Sequence, residues 1–284
     1  MSAPTRAPRV TWFQALVLGA IQGATEFLPI SSSGHLVLLP SLFGWEIESE
    51  VLFPFAVVVH WGTLLAVIAA FWSDLVLLGS AAFQSLRARD PFGSTQARLA
   101  WLLLLATLPA ALAGVLFSDL IRGAFGRPEL VAGLLIFNAG LLISGEWFRS
   151  RHESEAGLSK LRAPDAIAIG LFQVVALIPG ISRSGSTIVG GLSRGFNRLD
   201  SARFALLLAV PIMLGAGIVT LGDFRSISSE ALLELAAGFI ASSVIGFAAI
   251  RWLLRYLSHG SLRGFAVYCA ILGTLGLAVS IYRA

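Results

Sequence analysis

The chain has 284 residues, of which 56% are hydrophobic and only 13% charged, and its mean hydropathy of +0.83 lies far above that of an ordinary soluble domain. Composition thus excludes a soluble globular enzyme and indicates a multi-pass membrane protein. The formal charge of +4 comes from Arg residues in loops between apolar runs, which reports membrane orientation and not a nucleic-acid partner, and the single Cys269 excludes an intrachain disulfide or a cysteine-based metal site.

In chain order, residues 1–11 carry Arg6 and Arg9. The apolar segment after them contains Gln22 and Glu26 and lacks a small-residue cleavage site, so it reads as mature protein and not as a signal peptide. Two arms, 12–28 and 36–45, flank the polar insert Pro29-Ile30-Ser31-Ser32-Ser33-Gly34-His35 and are too short for spans, which predicts a re-entrant hairpin. Glu46, Glu48 and Glu50 then form an acidic, solvated loop whose alternating spacing is no metal motif. Apolar runs at 53–72, 99–117 and 131–148 are each about long enough to cross a ~30 Å hydrocarbon core at 1.5 Å per residue. A second pair of short arms, 166–178 and 186–196, brackets Pro179-Gly180-Ile181-Ser182-Arg183-Ser184-Gly185-Ser186-Thr187, and three further spans follow at 204–221, 235–257 and 264–282.

A shift of 151 residues aligns Ala15 with Ala166, Gly19 with Gly170, Gln22 with Gln173, Ile30 with Ile181, Ser31 with Ser182, Ser33 with Ser184, and Gly34 with Gly185. Each half would hold one hairpin and three spans. Three crossings start the second half from the opposite membrane face, so the repeat is predicted to be inverted. Loops 73–98, 149–165, 194–203 and 251–263 carry three, four, three and three Lys/Arg, whereas 45–52, 118–130 and 222–234 carry none, two and one. The alternation puts the first set in the cytoplasm and both termini outside, with Arg6 and Arg9 counting against it. The predicted fold is an all-α polytopic membrane protein, one integral membrane domain over 1–284, with repeats at 12–148 and 165–282.

Polar residues at membrane depth are costly unless protein or a water-filled cavity surrounds them, so the two inserts are where function is expected. Entering from opposite faces, they would meet near the midplane. Ser31, Ser32, Ser33 and Gly34, then Ser182, Ser184 and Thr187, offer hydroxyls and helix-start N–H groups suited to an anion. Arg183 adds a planar fork for phosphate oxygens. Glu26 would be protonated, paired with Arg183, or holding a cation, while His35 and Ser32 are both candidates for nucleophile, with Ser32 preferred. His60, beside Trp61 in an apolar span, either bonds a neighbouring helix or lines the cavity; His152 and His259 sit in charged, solvated loops. Gly133, Gly140 and Gly145 permit close helix contact inside the chain or in a homodimer.

The stretch from Gln22 to His35 and the stretch from Pro179 to Thr187 resemble the two signature motifs of the undecaprenyl-diphosphatase, or bacitracin-resistance, family, and length and span order agree over nearly the whole chain. That resemblance implies a bacterial inner-membrane enzyme that removes the terminal phosphate of undecaprenyl diphosphate, regenerating the lipid carrier of cell-wall precursors and giving bacitracin resistance. It implies a catalytic centre of Glu26, Ser32, His35 and Arg183, with Gln22 nearby, a dependence on Mg²⁺ or Ca²⁺ held by Glu26, and a site that opens outward. Many members carry glutamate where this chain has Gln22, so charge in the first motif rests on Glu26 alone. Type-2 phosphatidic acid phosphatases share a superficial likeness but need a His soon after the Ser-Arg; here none follows before His259. A polyprenyl-phosphate transporter using the same midplane site is the alternative, because broken helices in inverted repeats also build transporters.

Overall fold

The computed structural model describes residues 10–45, 47, 49–151, 157–219 and 232–283. Arg6, Arg9, Glu46, Glu48, His152 and the side chain of Glu50 lie outside the described residues. Twelve α-helices are found among the described residues: α1 (Trp12–Phe27), α2 (Ser32–Phe43), α3 (Ser49–Ala70), α4 (Trp72–Ala88), α5 (Thr95–Leu116), α6 (Ser118–Phe125), α7 (Pro128–Ser150), α8 (Ala163–Val175), α9 (Arg183–Ser193), α10 (Arg198–Val219), α11 (Leu232–Leu257) and α12 (Arg263–Arg283).

Five of these are long and apolar enough to cross a bilayer: Thr95–Leu116, Pro128–Ser150, Arg198–Ile218, Leu232–Leu257 and Arg263–Tyr282. The expected run 53–72 makes a sixth only when it is taken together with α4 as one broken span. It belongs to a pair, Pro54–Ala70 and Trp72–Ala88, bent by 79° at the junction. Two stretches expected to be loops contain helices. Asp74 and Arg87 make α4 amphipathic, and Asp119 and Arg122 do the same for α6; with 17 and 8 residues both are short for a span, yet each folds as helix because an apolar face remains.

The two short-arm regions are helix–break–helix pairs. Thr11 caps α1 in a capping box with Gln14, and α1 stops at Phe27 because Pro29 drives Leu28 into an extended conformation. Ser31 then turns the chain at φ 67°, and its hydroxyl accepts from the Gly34 N–H at 3.2 Å. In the second pair the left-handed turn falls on Gly180, φ 102°, and Ser182 caps α9 by accepting from the Gly185 N–H at 3.1 Å. The serines of each insert therefore form the first turn of the second helix, three to four residues earlier than the apolar pattern alone suggests.

Packing is reciprocal between the two halves. Helix α1 rests on α11, and α8 rests on α5, so each broken pair leans on a long helix of the other half. The aligned glycines allow it: a Cβ on Gly19 would lie 2.4 Å from the Gly238 carbonyl oxygen, and one on Gly170 would lie 2.5 Å from that of Ala106. At the breaks, Gly34 faces Gly180, and Gly185 faces Pro29, the position that aligns with Gly180. Two apolar clusters meet here, one reaching the first break through Phe27 and the other through Ile30 and Ile188. Gly145 packs inside the chain against Val189, whereas a Cβ on Gly133 or Gly140 would meet nothing within 4 Å among the described residues.

Candidate active site

Helix α1 ends in a buried carboxylate. Glu26 is 7% exposed and Gln22, one turn earlier, is fully buried on the same face. Four side chains, one from each of α1, α2, α3 and α9, converge on it. Arg183, the first residue of α9, donates from Nη2 to Glu26 Oε1 at 2.7 Å. Ser32, the first residue of α2, donates to Glu26 Oε2 at 2.6 Å, and Gln22 Nε2 donates to the same oxygen at 3.0 Å. His60 on α3 brings Nε2 to 3.5 Å from Oε2. Breaking the Glu26–Arg183 pair by removing one partner would leave an uncompensated buried charge, at about 3–5 kcal/mol.

The guanidinium is only half used. Its second terminal nitrogen, Nη1, is buried and has no hydrogen-bond partner among the described residues, while Nη2 also touches Met213 Sδ at 3.7 Å. Met213 and His60 both line a cavity of about 650 Å³. Most of its wall is apolar, from Leu36, Val37, Trp61 and Leu64, and its polar groups include Ser33 and Arg122. A polar, charged end therefore opens onto a long apolar space.

The two breaks are locked to each other. Ser184 donates to the Leu28 carbonyl at 3.0 Å, and Ser182 and Ser184 hydroxyls lie 3.0 Å apart, as those of Ser31 and Ser33 lie 3.3 Å apart. Asn138, midway along α7, bridges both breaks: its Nδ2 donates to the Pro29 carbonyl at 3.1 Å and its Oδ1 accepts from the Ser182 N–H at 3.0 Å. Thr187 donates back to the carbonyls of Arg183 and Ser184 within its own helix.

His35 stands apart from the carboxylate. Its Nδ1 lies 2.7 Å from the Ser31 carbonyl, an acceptor only, so Nδ1 carries the proton. Nε2 then accepts from the Tyr268 hydroxyl at 2.7 Å, with the two ring planes within 4°. Both ring nitrogens are thus engaged, and of Ser32 and His35 only Ser32 hydrogen-bonds Glu26 among the described residues. His60 meets both expectations, lining the cavity and facing Glu26 on the neighbouring α1. His259 is exposed, and its ring lies within hydrogen-bond distance of the neighbouring Ser258 hydroxyl, at 2.9 Å.

Asn138 and Tyr268 were not singled out by sequence, and His60 only as a residue that bonds a neighbouring helix or lines the cavity. Asn138 carried a usable signal, as the one amide in the span 131–148, set within the apolar stretch 131–143; Tyr268 carried none, since an aromatic in the last span reads equally well as a lipid-facing ring. No three His, Cys, Asp or Glu converge among the described residues. A hard cation that draws most ligands from phosphate and water still fits here, because Glu26 supplies one carboxylate and Gln22 Oε1 is a buried amide oxygen with no partner.

The family profile described as bacitracin resistance protein BacA matches residues 15–275. Proteins named undecaprenyl-diphosphatase are similar over almost the full length. That of Myxococcus xanthus is 40% identical over 267 residues, covering 94% of this chain and 88% of the relative. That of Pelotomaculum thermopropionicum is 40% identical over 276 residues, covering 97% and 98%. That of Mycobacterium avium is 38% identical over 297 residues, covering 95% and 97%. With both breaks, Glu26, Ser32 and Arg183 inside the matched region, the chain belongs to the bacitracin resistance protein BacA family.

Proposed function

We propose that this chain is a membrane phosphatase that hydrolyses undecaprenyl diphosphate to undecaprenyl phosphate and inorganic phosphate, recycling the lipid carrier for cell-wall synthesis. The observation that carries the reading is the buried Glu26–Ser32–Arg183 cluster at the meeting of two helix breaks, beside a mostly apolar cavity. The diphosphate would occupy the polar end, and the polyprenyl tail would leave through the apolar part of the cavity into the bilayer. Arg183 would hold the terminal phosphate through Nη1 while Nη2 stays on Glu26, which fixes the guanidinium before substrate arrives. Ser33 and the N–H groups at the start of α2 would take further oxygens.

In this mechanism Ser32 Oγ attacks the terminal phosphorus and its proton passes to Glu26 Oε2, which already accepts it as a hydrogen bond. The bond from phosphorus to the bridging oxygen breaks, undecaprenyl phosphate leaves, and water later cleaves the phosphoserine. His35 positions the turn at Ser31 through its Nδ1–H. Ser182 and Ser184 hold the breaks together instead of touching phosphate. Bound Mg²⁺ or Ca²⁺ would be held by Glu26 and Gln22 and would neutralise phosphate charge.

The two halves are read as an inverted repeat of re-entrant hairpins in the bacterial inner membrane, with the site opening to the outer side; the reciprocal packing of α1 on α11 and α8 on α5 and the alternation of loop charge support that reading. The test is phosphate release from a polyprenyl diphosphate by the purified protein in detergent, with and without added Mg²⁺ or Ca²⁺. Cation-stimulated release is expected. Movement of the lipid head group across sealed vesicles with no release from folded protein would instead make it a transporter.

A further inference from the structure

A second, smaller cavity of about 270 Å³ lies away from the active site, lined by Lys160, Arg162, Arg194, Asp165, Pro164 and Phe196. Its walls are fixed from within. Leu161, between the two outer cations, is 1% exposed and Phe196 is 3% exposed, and the short turn Leu158–Lys160 is tied down by Arg98, whose guanidinium donates to the Ser159 carbonyl. Asp165, the carboxylate of the cavity, is already engaged by Arg194 Nε at 2.7 Å and by the Arg162 N–H at 3.1 Å. Lys160 and Arg162 are exposed and leave the cavity with an excess of positive charge.

Helix α8 begins at this cavity and turns an apolar stripe outward. Ile167, Leu171 and Val175 are 42%, 56% and 41% exposed, and their spacing puts them on one helix face. From Ala163 to Val175 the helix covers about 18 Å at 1.5 Å per residue, close to the roughly 15 Å of one leaflet of the hydrocarbon core. An apolar stripe one leaflet long, ending at a rigid cationic cavity, has the dimensions of a single lipid.

We propose that this cavity binds the head-group phosphate of an anionic phospholipid from the surrounding bilayer, with the acyl chains along Ile167, Leu171 and Val175. Charge makes the choice. An anionic head group neutralises the excess that Asp165 leaves, whereas a zwitterionic one brings its own cation against Lys160 and Arg162. The bound lipid braces α8, and so the base of the helix pair that carries Arg183.

The delipidated protein in mild detergent is titrated with dioleoyl-phosphatidylglycerol or dioleoyl-phosphatidylcholine and read by native mass spectrometry. The three forms compared are wild type, Lys160→Ala/Arg162→Ala and Lys160→Arg/Arg162→Lys. Wild type is expected to bind the first phosphatidylglycerol about tenfold or more tightly than phosphatidylcholine, at roughly fivefold per surface cation. The alanine pair loses that preference and the charge-preserving pair keeps it. Both substituted positions are exposed, so folding is retained and phosphate release serves as the check. Equal affinity for the two lipids in wild type, an undiminished preference in the alanine pair, or displacement of the lipid by millimolar inorganic phosphate each overturns the proposal.

Discussion

At the scale of single residues, function concentrates where polar chemistry is most expensive to bury. Glu26 is held by Arg183, Ser32 and Gln22, each within hydrogen-bond distance, so every substitution here acts on a shared network and effects will not add. Ser32→Ala should lower turnover by about 10³-fold or more and abolish an acid-stable phosphoserine that rapid quenching traps in the wild type; a phosphoenzyme persisting in that variant would remove Ser32 from the attack. Gln22→Glu adds a second carboxylate one helical turn from Glu26 and should lower the half-activating Mg²⁺ concentration several-fold, read from activation curves. Unchanged or weaker activation would count against cation binding at this end of α1. Glu26, Ser32 and Arg183 were legible in the sequence because a charge or hydroxyl in an apolar run demands a partner. The partners were not: Asn138 reaches Pro29 and Ser182 from 109 and 44 residues away, and nothing local specifies such pairings.

At the scale of elements, helix starts and stops followed local chemistry closely. Pro29 and Pro179-Gly180 end the apolar arms, and the serines after them begin the next helices. Close approach between elements rests on a few glycines, which gives a contrast testable by thermal melting in detergent. Gly170→Ala would push a methyl group against the Ala106 carbonyl and should destabilise by about 1–3 kcal/mol. Gly114→Ala, on α5 where nothing lies within 4 Å, should stabilise by about 0.5–1 kcal/mol. Equal shifts for the two would mean that α8 and α5 do not pack as described. Helices α4 and α6 were hidden from a span-length reading because their charges resemble those of loops, and the 79° bend before α4 has no proline or glycine at Phe71 to announce it.

At the scale of the whole molecule, two halves exchange supports: the broken pair of each lies on a long helix of the other, and the breaks close on one another through Ser184, Leu28 and Asn138. The repeat was visible in seven aligned identities, but the exchange was not, because an offset says which positions correspond and not which helices touch. Inverted topology predicts that an impermeant maleimide labels Arg127→Cys from outside intact cells, whereas Arg89→Cys and His259→Cys label only after permeabilisation; Cys269 is buried and stays silent. The reverse pattern would invert the orientation. The central claim is that a guanidinium from one half and a carboxylate from the other form a single phosphate clamp. Its most direct test is the rate of phosphate release by Arg183→Lys beside wild type, with matched melting curves. A loss of about 10²-fold or more despite the retained charge is the expected result, because lysine cannot bind Glu26 and phosphate through one planar fork; near-normal turnover would contradict the clamp.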